Sequence, residues 1–275
     1  MKVLLFGTMG DIGPWLMRHL QGVGHQLSLV DFPQNTFRDF PGYRRELLKA
    51  IRSFAPDAVV PVGNPIAMSR LKGELAALFP GLSVEVESPE KIELLDSKTR
   101  LYAYAQSLGI PQPRCFASAD DVPAGVRTVF KRDVSFAAHG VRIPADIDGL
   151  RNVIAHHKKG EPYLIEEFIE GREYSVDVLR RGGECFVSSY ESVRGRVSAD
   201  GSRAADPAVE RHPVAMPALE AFAVRILESL DYNGVCGFDF IVDADGNPYL
   251  LEANPRFTGG LATQLSVCWP PSHWL

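Results

Sequence analysis

At 275 residues, with 29 basic and 34 acidic side chains and a net charge of −5, the chain has length for one large domain or two ordinary ones. Hydrophobic residues at 45% and charged ones at 23% fit a soluble globular protein, and the absence of an extended Lys/Arg run argues against nucleic acid as partner. No stretch approaches the ~18 apolar residues of a bilayer span, which argues against a membrane role. The first apolar run stops at Gly7, and Cys115, Cys185, Cys236 and Cys268 form no C-x-x-C pair, so the chain reads as cytoplasmic with reduced thiols.

The first third alternates strand and helix. Residues 3–6 are a short apolar strand, 12–20 a helix ending near Gly22 and Gly24, and 26–31 a second strand. Residues 43–54 form a helix with Leu47, Leu48 and Ile51 on one face, and 58–62 a third strand. This order predicts a parallel sheet with helices packed on it. Gly7, Gly10 and Gly13 follow the first strand, with Asp31 ending the second. They approach the dinucleotide fingerprint without matching it, because the central glycine is displaced. Turn glycines that let a helix start close to its strand are the preferred reading over NAD(P) binding.

Residues 86–96 lead into a second unit, with the domain boundary placed near residue 92. Asp96 is positioned to cap a helix over 97–108, with Gly109 as its C′ residue and Pro111 and Pro113 barring continuation. Strands follow at 126–132 and, after a loop of small residues at 134–140, at 141–143. A helix is expected at 147–157, strands at 163–168 and 173–180 hinged at Gly171, and a strand at 185–190. The polar stretch 191–213 reads as a mobile surface loop, and 218–230 as a helix. Residues 236–243 and 248–254 are two strands, and Asp245-Gly246 is a pair that closes two-residue hairpins. Beyond residue 92 the pattern is therefore α+β after an α/β start.

That last hairpin carries the strongest chemical signal. If the two-residue turn forms, Ala244 faces Asn247 and Asp239 lies directly opposite Glu252. Facing carboxylates repel unless a cation lies between them. An acid pair in a hairpin is more often just solvated, but these strands are apolar around it (Phe238, Phe240, Val242, Tyr249, Leu250, Leu251). Glu252, Asn254 and Arg256 alternate and so share a face. Lys98 opens a helix, and Lys131 precedes the small-residue loop, where an ammonium can be aimed at phosphate. Glu166 and Glu167 end a strand before the hinge, and Glu173 begins the next, placed to accept from ribose hydroxyls.

Together the segments DSKTRLYAYAQSLGIPQP, TVFKRDVSFAAHGV, YLIEEFIEGREYSVDV and GFDFIVDADGNPYLLEANPRFTGG resemble the ATP-grasp family over residues 93–262. LLEANPRFTGG is similar to the carbamoyl phosphate synthetase large subunit, and the residues before it to D-alanine–D-alanine ligase. The resemblance implies an ATP-grasp fold, two lobes gripping ATP, preceded by a small Rossmann-like domain over 1–92. The ATP-grasp domain would span 93–275, with a small lobe at 93–160 and a large lobe with the metal site at 161–275. It further implies that Lys98 and Lys131 contact phosphates, and that Glu166, Glu167, Phe168 and Ile169 line an adenine pocket, largely through the Phe168 and Ile169 backbone. Glu173 would hold the ribose, and Asp239, Glu252 and Asn254 would coordinate Mg²⁺, with Mn²⁺ a possible substitute. Arg256 would stabilise the transferred phosphoryl group, with Arg194 or Arg196 placed over it.

The implied activity is ATP-dependent coupling of a carboxylate, activated as an acyl phosphate, to an amine, amino acids included, with a homodimer as a possible assembly. Carboxyphosphate or carbamate chemistry is the alternative within the class, and a non-catalytic ATP-binding module the alternative outside it. Two departures stand out. Arg132 follows Lys131 where the family often has proline, and the loop after it carries Gly140 where relatives are often richer in glycine.

Overall fold

Four apolar segments near the N-terminus form a parallel sheet: β1 (Lys2–Phe6), β2 (Gln26–Val30), β3 (Ala58–Pro61) and β4 (Ser83–Val84), in the order β2-β1-β3-β4. The computed structural model describes residues 1–7, 12–22, 24–32, 39–63, 65–135, 140–193 and 210–259. Val3 to Phe6 are buried on both faces, as an unbroken apolar run in a parallel strand requires. Helix α1 (Ile12–Gln21) covers one face with Ile12, Leu16 and Leu20. Helices α2 (Phe40–Phe54) and α3 (Pro65–Leu78) cover the other with Leu47, Ile51, Met68, Leu71 and Leu75. Helix α2 starts three residues earlier than its apolar face suggests, because the Asp39 carboxylate caps it by accepting from Gly42 N at 2.9 Å. Gly7 turns the chain after β1, Gly13 packs against Leu29, and Gly10 lies outside the described residues.

Two helices, α4 (Pro89–Asp96) and α5 (Lys98–Ser107), meet end to end. The expected cap is corrected here: Asp96 ends α4, and Ser97 caps α5 by accepting from Arg100 N at 3.2 Å. The far end of α5 is as expected. Gly109 N donates to Gln106 O and Ile110 N to Ala105 O, the paired bonds of a glycine-terminated helix.

A small antiparallel sheet follows, made of β5 (Cys115–Phe116), β6 (Thr128–Arg132), β7 (Val141–Arg142) and β8 (Tyr163–Glu167) in the order β5-β8-β6-β7. Helix α6 (Ile147–Ala155) backs it through Leu150, which packs with Phe116, Phe130 and Ile165. The lobe division expected at 160/161 does not coincide with a change of sheet, since β8 pairs with β6.

The large sheet holds β9 (Gly171–Arg181), β10 (Glu184–Val193), β11 (Glu210–Pro213), β12 (Gly234–Asp243) and β13 (Pro248–Asn254), in the order β11-β10-β9-β12-β13. The expectation of one loop over 191–213 is corrected at both ends. Residues 191–193 extend β10, and Glu210–Pro213 pairs with it. Helices α4, α5 and α7 (Pro217–Ser229) cover one face of this sheet through Leu95, Leu101, Ile226, Val176, Phe238 and Phe240. No helix among the described residues is long and apolar enough to cross a membrane.

The β12–β13 hairpin reaches the expected pairing by a different route. Its loop has three residues, with Gly246 at φ +85°, Gly246 N bonded to Asp243 O, and Asp243 N bonded to Asn247 O. That shifts the register by one from the two-residue expectation, so Phe240 faces Leu250. A bulge at Leu251 then restores it, and Asp239 does face Glu252.

Candidate active site

The face of the large sheet away from α4, α5 and α7 is polar and reads in rungs across β9, β12 and β13. Glu173, Ile241 and Tyr249 form one; Ser175, Asp239 and Glu252 the next; Asp177, Gly237 and Asn254 the third. Two residues of strand separate successive rungs by about 7 Å.

On the middle rung, Ser175 Oγ donates to Asp239 Oδ1 at 2.6 Å. Lys98, buried in the first turn of α5, sets its Nζ 3.2 Å from Glu252 Oε2. The same ammonium reaches the Asp133 carbonyl at 3.4 Å and Ser135 Oγ at 3.3 Å, at the start of the loop after β6. Asp133 fixes that junction. Its carboxylate accepts from Ser97 Oγ (2.9 Å), Thr99 N (2.8 Å) and Thr99 Oγ1 (2.9 Å), over the positive end of α5.

Beyond β13, Arg256 Nη2 donates to Asn254 Oδ1 at 2.7 Å and Nη1 to Phe257 O at 3.4 Å. Asn254 Nδ2 donates to Glu252 Oε1 at 3.4 Å, so Lys98, Glu252, Asn254 and Arg256 form one chain of contacts. Asp96 belongs beside them. Burial raises its carboxyl above the ordinary range, while the charges of Arg256 and Lys98 pull it back down.

The small sheet supplies a second pair. Lys131 Nζ lies 2.7 Å from Glu166 Oε2, both side chains are buried, and Glu166 Oε1 has no hydrogen-bond partner among the described residues. Tyr102 of α5 lies between the two sheets. Its hydroxyl donates to Leu251 O at 3.2 Å, and burial, then the charge of Glu166, push its phenol well up.

Glu173 stands one rung from Asp239, at the end of the site nearest the β8–β9 connection. On that connection Glu167 N donates to Arg114 O at 2.8 Å and Phe168 N to Arg127 O at 2.9 Å, with the Arg127 guanidinium 4.0 Å over the Phe168 ring. Ile169 follows directly. Arg194 and Arg196 lie outside the described residues.

Four residues escaped the sequence reading: Asp96, Tyr102, Asp133 and Asp177. Asp177 had a signal, since it continues the alternation of Glu173 and Ser175 on β9. It is fully buried, accepting from Thr258 Oγ1 at 2.8 Å and Tyr190 OH at 3.1 Å. Burial raises its carboxyl to about 7, and the Asp239 charge adds to that against those two hydrogen bonds and the charge of Arg211. Opposite it, Gly237 has no room for a Cβ, which would stand 2.4 Å from Thr258 Cγ2 and 2.6 Å from Asp177 Oδ1.

The donor set suits Mg²⁺. Two facing carboxylates and an amide are hard oxygen ligands, and Mg²⁺ typically takes one or two carboxylates and completes its shell with water and substrate phosphate. Among the described residues no group of three His, Cys, Asp or Glu assembles, and Asn254 is the amide beside the two carboxylates.

A family model for the ATP-grasp domain matches residues 95–260. The chain is 26% identical over 215 residues to the carbamoyl phosphate synthase large chain of Thermomicrobium roseum, covering 73% of this chain and 19% of that one. It spans about one fifth of the length of that relative and of the two similar chains from Geobacillus stearothermophilus and Thermoplasma acidophilum. Among solved structures it is similar to the L-amino acid ligase from Bacillus licheniformis, with TM-score 0.68 at 18% identity over 96% of this chain and 69% of that one. It is also similar to D-alanine–D-alanine ligase from Bacillus anthracis in complex with ATP, with TM-score 0.64 at 14% identity over 93% of this chain and 85% of that one.

Proposed function

Because the chain belongs to the ATP-grasp family, whose activity is of the ATP-dependent ligase type, we propose that it activates a small carboxylate as an acyl phosphate and joins it to an amine. The observation that carries this reading is the middle rung, where Asp239 and Glu252 face each other beside Lys98, with Arg256 joined to Glu252 through Asn254.

In this reading a carboxylate oxygen attacks the terminal phosphorus of ATP, and the bond to the bridging oxygen breaks to release ADP. The amine then attacks the acyl carbon, phosphate leaves, and the nitrogen gives up a proton. Such chemistry asks for alignment and charge neutralisation more than for a protein nucleophile. Bound at Asp239, Glu252 and Asn254, Mg²⁺ would neutralise the phosphate oxygens. Lys98 and Lys131 hold the phosphate chain from the α5 side and the small-sheet side. Arg256 takes the carboxylate and the charge that develops on its phosphate. Glu173 accepts from ribose hydroxyls, and with the Phe168 N–H committed to Arg127, the adenine edge meets the Phe168 carbonyl and Ile169. Water must be kept from the acyl phosphate until the amine arrives.

The likenesses to an L-amino acid ligase and a D-alanine–D-alanine ligase support amide formation. A screen of ADP release across amino acids and small carboxylates, with mass detection of products, tests it. Glu252→Ala and Arg256→Ala should each lower turnover at least 100-fold. ADP release from MgATP with bicarbonate alone would instead select carboxyphosphate chemistry, the second reading, which the carbamoyl phosphate synthase likeness favours. MgATP binding with no turnover on any acceptor would leave a nucleotide-binding module.

A further inference from the structure

One rung past Asp177 the site face changes character. Leu179 and Val235 pair there, and they pack with Phe257 against Leu16, Leu20 and Val60 of the N-terminal sheet layer. A cavity of about 300 Å³ opens in this seam. These six apolar side chains line it, and Arg256 lines it too. It therefore begins about 7 Å from the Asp177–Asn254 rung and about 14 Å from the metal rung, on the side away from Glu173. The nucleotide end and the cavity end lie on opposite sides of the facing carboxylates.

The charged groups of the lining have partners inside the protein, Arg256 among them through Asn254 Oδ1 and Phe257 O. Arg181 Nη1 meets Glu85 Oε2 at 3.1 Å, Lys72 Nζ donates to Val86 O at 2.6 Å, Asn233 N to Glu87 Oε1 at 2.6 Å, and Arg180 Nη1 to Asp231 Oδ1 at 2.9 Å. These pairs reach solvent, with Arg181 41% and Asp231 80% exposed, so exchanging them costs little, and it is the six apolar side chains of the wall that set the polarity of the body. An uncharged apolar body needs no such exchange and gains by leaving water. The volume is at the small end of ligand pockets, roughly 300–1,000 Å³, the scale of one amino-acid-sized molecule.

We infer that this cavity seats the apolar body of the carboxylate that is activated, with Arg256 holding the carboxylate at its mouth and Leu179 and Val235 limiting the body's bulk. The substrate is then a monocarboxylate with an uncharged branched aliphatic or small aromatic body. This inference rests on the ligase reading for the position of the reacting group. It adds what no family match supplies, the side chain of the acid.

The test uses the full chain and two separate readouts. Saturation-transfer NMR reports binding of 4-methylpentanoate, leucine, 3-phenylpropanoate, acetate and succinate, and ADP release reports turnover with an amine panel. Wild type should bind 4-methylpentanoate or leucine and use it, with succinate and acetate at least tenfold poorer. The pair of apolar acids separates a simple acid from an α-amino acid. Val235→Phe, which adds bulk to the cavity wall two rungs from the facing carboxylates, should raise the KM for the apolar acid tenfold or more while MgATP affinity stays within twofold. Should Val235→Phe not fold, Leu179→Ala gives the converse, a shift in preference toward 3-phenylpropanoate. Preference for succinate or acetate, or an unchanged KM in Val235→Phe with MgATP bound, overturns the inference and leaves the ligase reading standing. An apolar acid that binds, is blocked by Val235→Phe and supports no ADP release with any amine upholds the cavity and sinks the ligase reading.

Discussion

A carboxyl group enclosed by Thr258, Tyr190 and Gly237 is charged only at the expense of desolvation, and Asp177 sits near the balance at about 7. In the unfolded chain it titrates near its ordinary value of 3.8. Between those values the folded protein binds more protons than the unfolded one. The stability this contributes is therefore fully present below about pH 4 and is lost as pH rises through about 7. Asp177→Asn cannot titrate, so the melting temperature of wild type minus that of the variant should fall between about pH 4 and pH 8; a flat difference would remove the argument. Lys131 and Glu166 make a different case. Removing one partner of a buried ion pair typically costs about 3–5 kcal/mol, because the other charge is stranded. Glu166→Ala should lower urea stability by about that much, and Lys131→Met with Glu166→Leu should recover most of it while MgATP binding stays lost. The candidate ligands themselves were legible from motif and alternation. Asp133 and Asp96 were not, because each is defined by partners brought from another segment, Thr99 in one case and Arg256 in the other.

At the scale of elements, the hairpin shows how a correct pairing can follow from a mistaken turn. The Asp245-Gly246 signal suggested a two-residue loop, the chain uses three, and the bulge at Leu251 absorbs the difference. Gly246 holds φ +85°, which L residues adopt at a cost of about 1–2 kcal/mol. Gly246→Ala should therefore lower the melting temperature by a few degrees in thermal unfolding and leave ADP release intact, since register is re-set downstream at Leu251. Strands β1 and β3 were readable because buried parallel strands are continuous apolar runs, and the half-buried edge strand β2 by its alternating Leu27 and Leu29. Strand β11 and the end of β10 were hidden because Glu191, Ser192 and Glu210–Pro213 are polar or proline, and only their mutual pairing marks them as strand. Helix α3 was missed for a related reason: its buried face mixes Ser69 and Pro65 with Ala67, Met68 and Leu71.

At the scale of the whole molecule, Lys98 joins the loop after β6 of the small sheet to the polar face of the large sheet. Its ammonium is held 3.2 Å from Glu252. A divalent cation reaching for Glu252 has to evict that ammonium, and a phosphate reaching for Lys98 has to draw it off the carboxylate. Each arrival does the other's disconnecting. The two should then bind with heterotropic cooperativity, and the coupling must be equal seen from either ligand. Thermal shift by Mg²⁺ alone and by ATP with a chelator should sum to clearly less than the shift by MgATP, and Lys98→Met should shrink that excess to what direct contact between Mg²⁺ and phosphate supplies. Such a cleft discriminates against free magnesium and free nucleotide alike, and makes their complex the species it answers to.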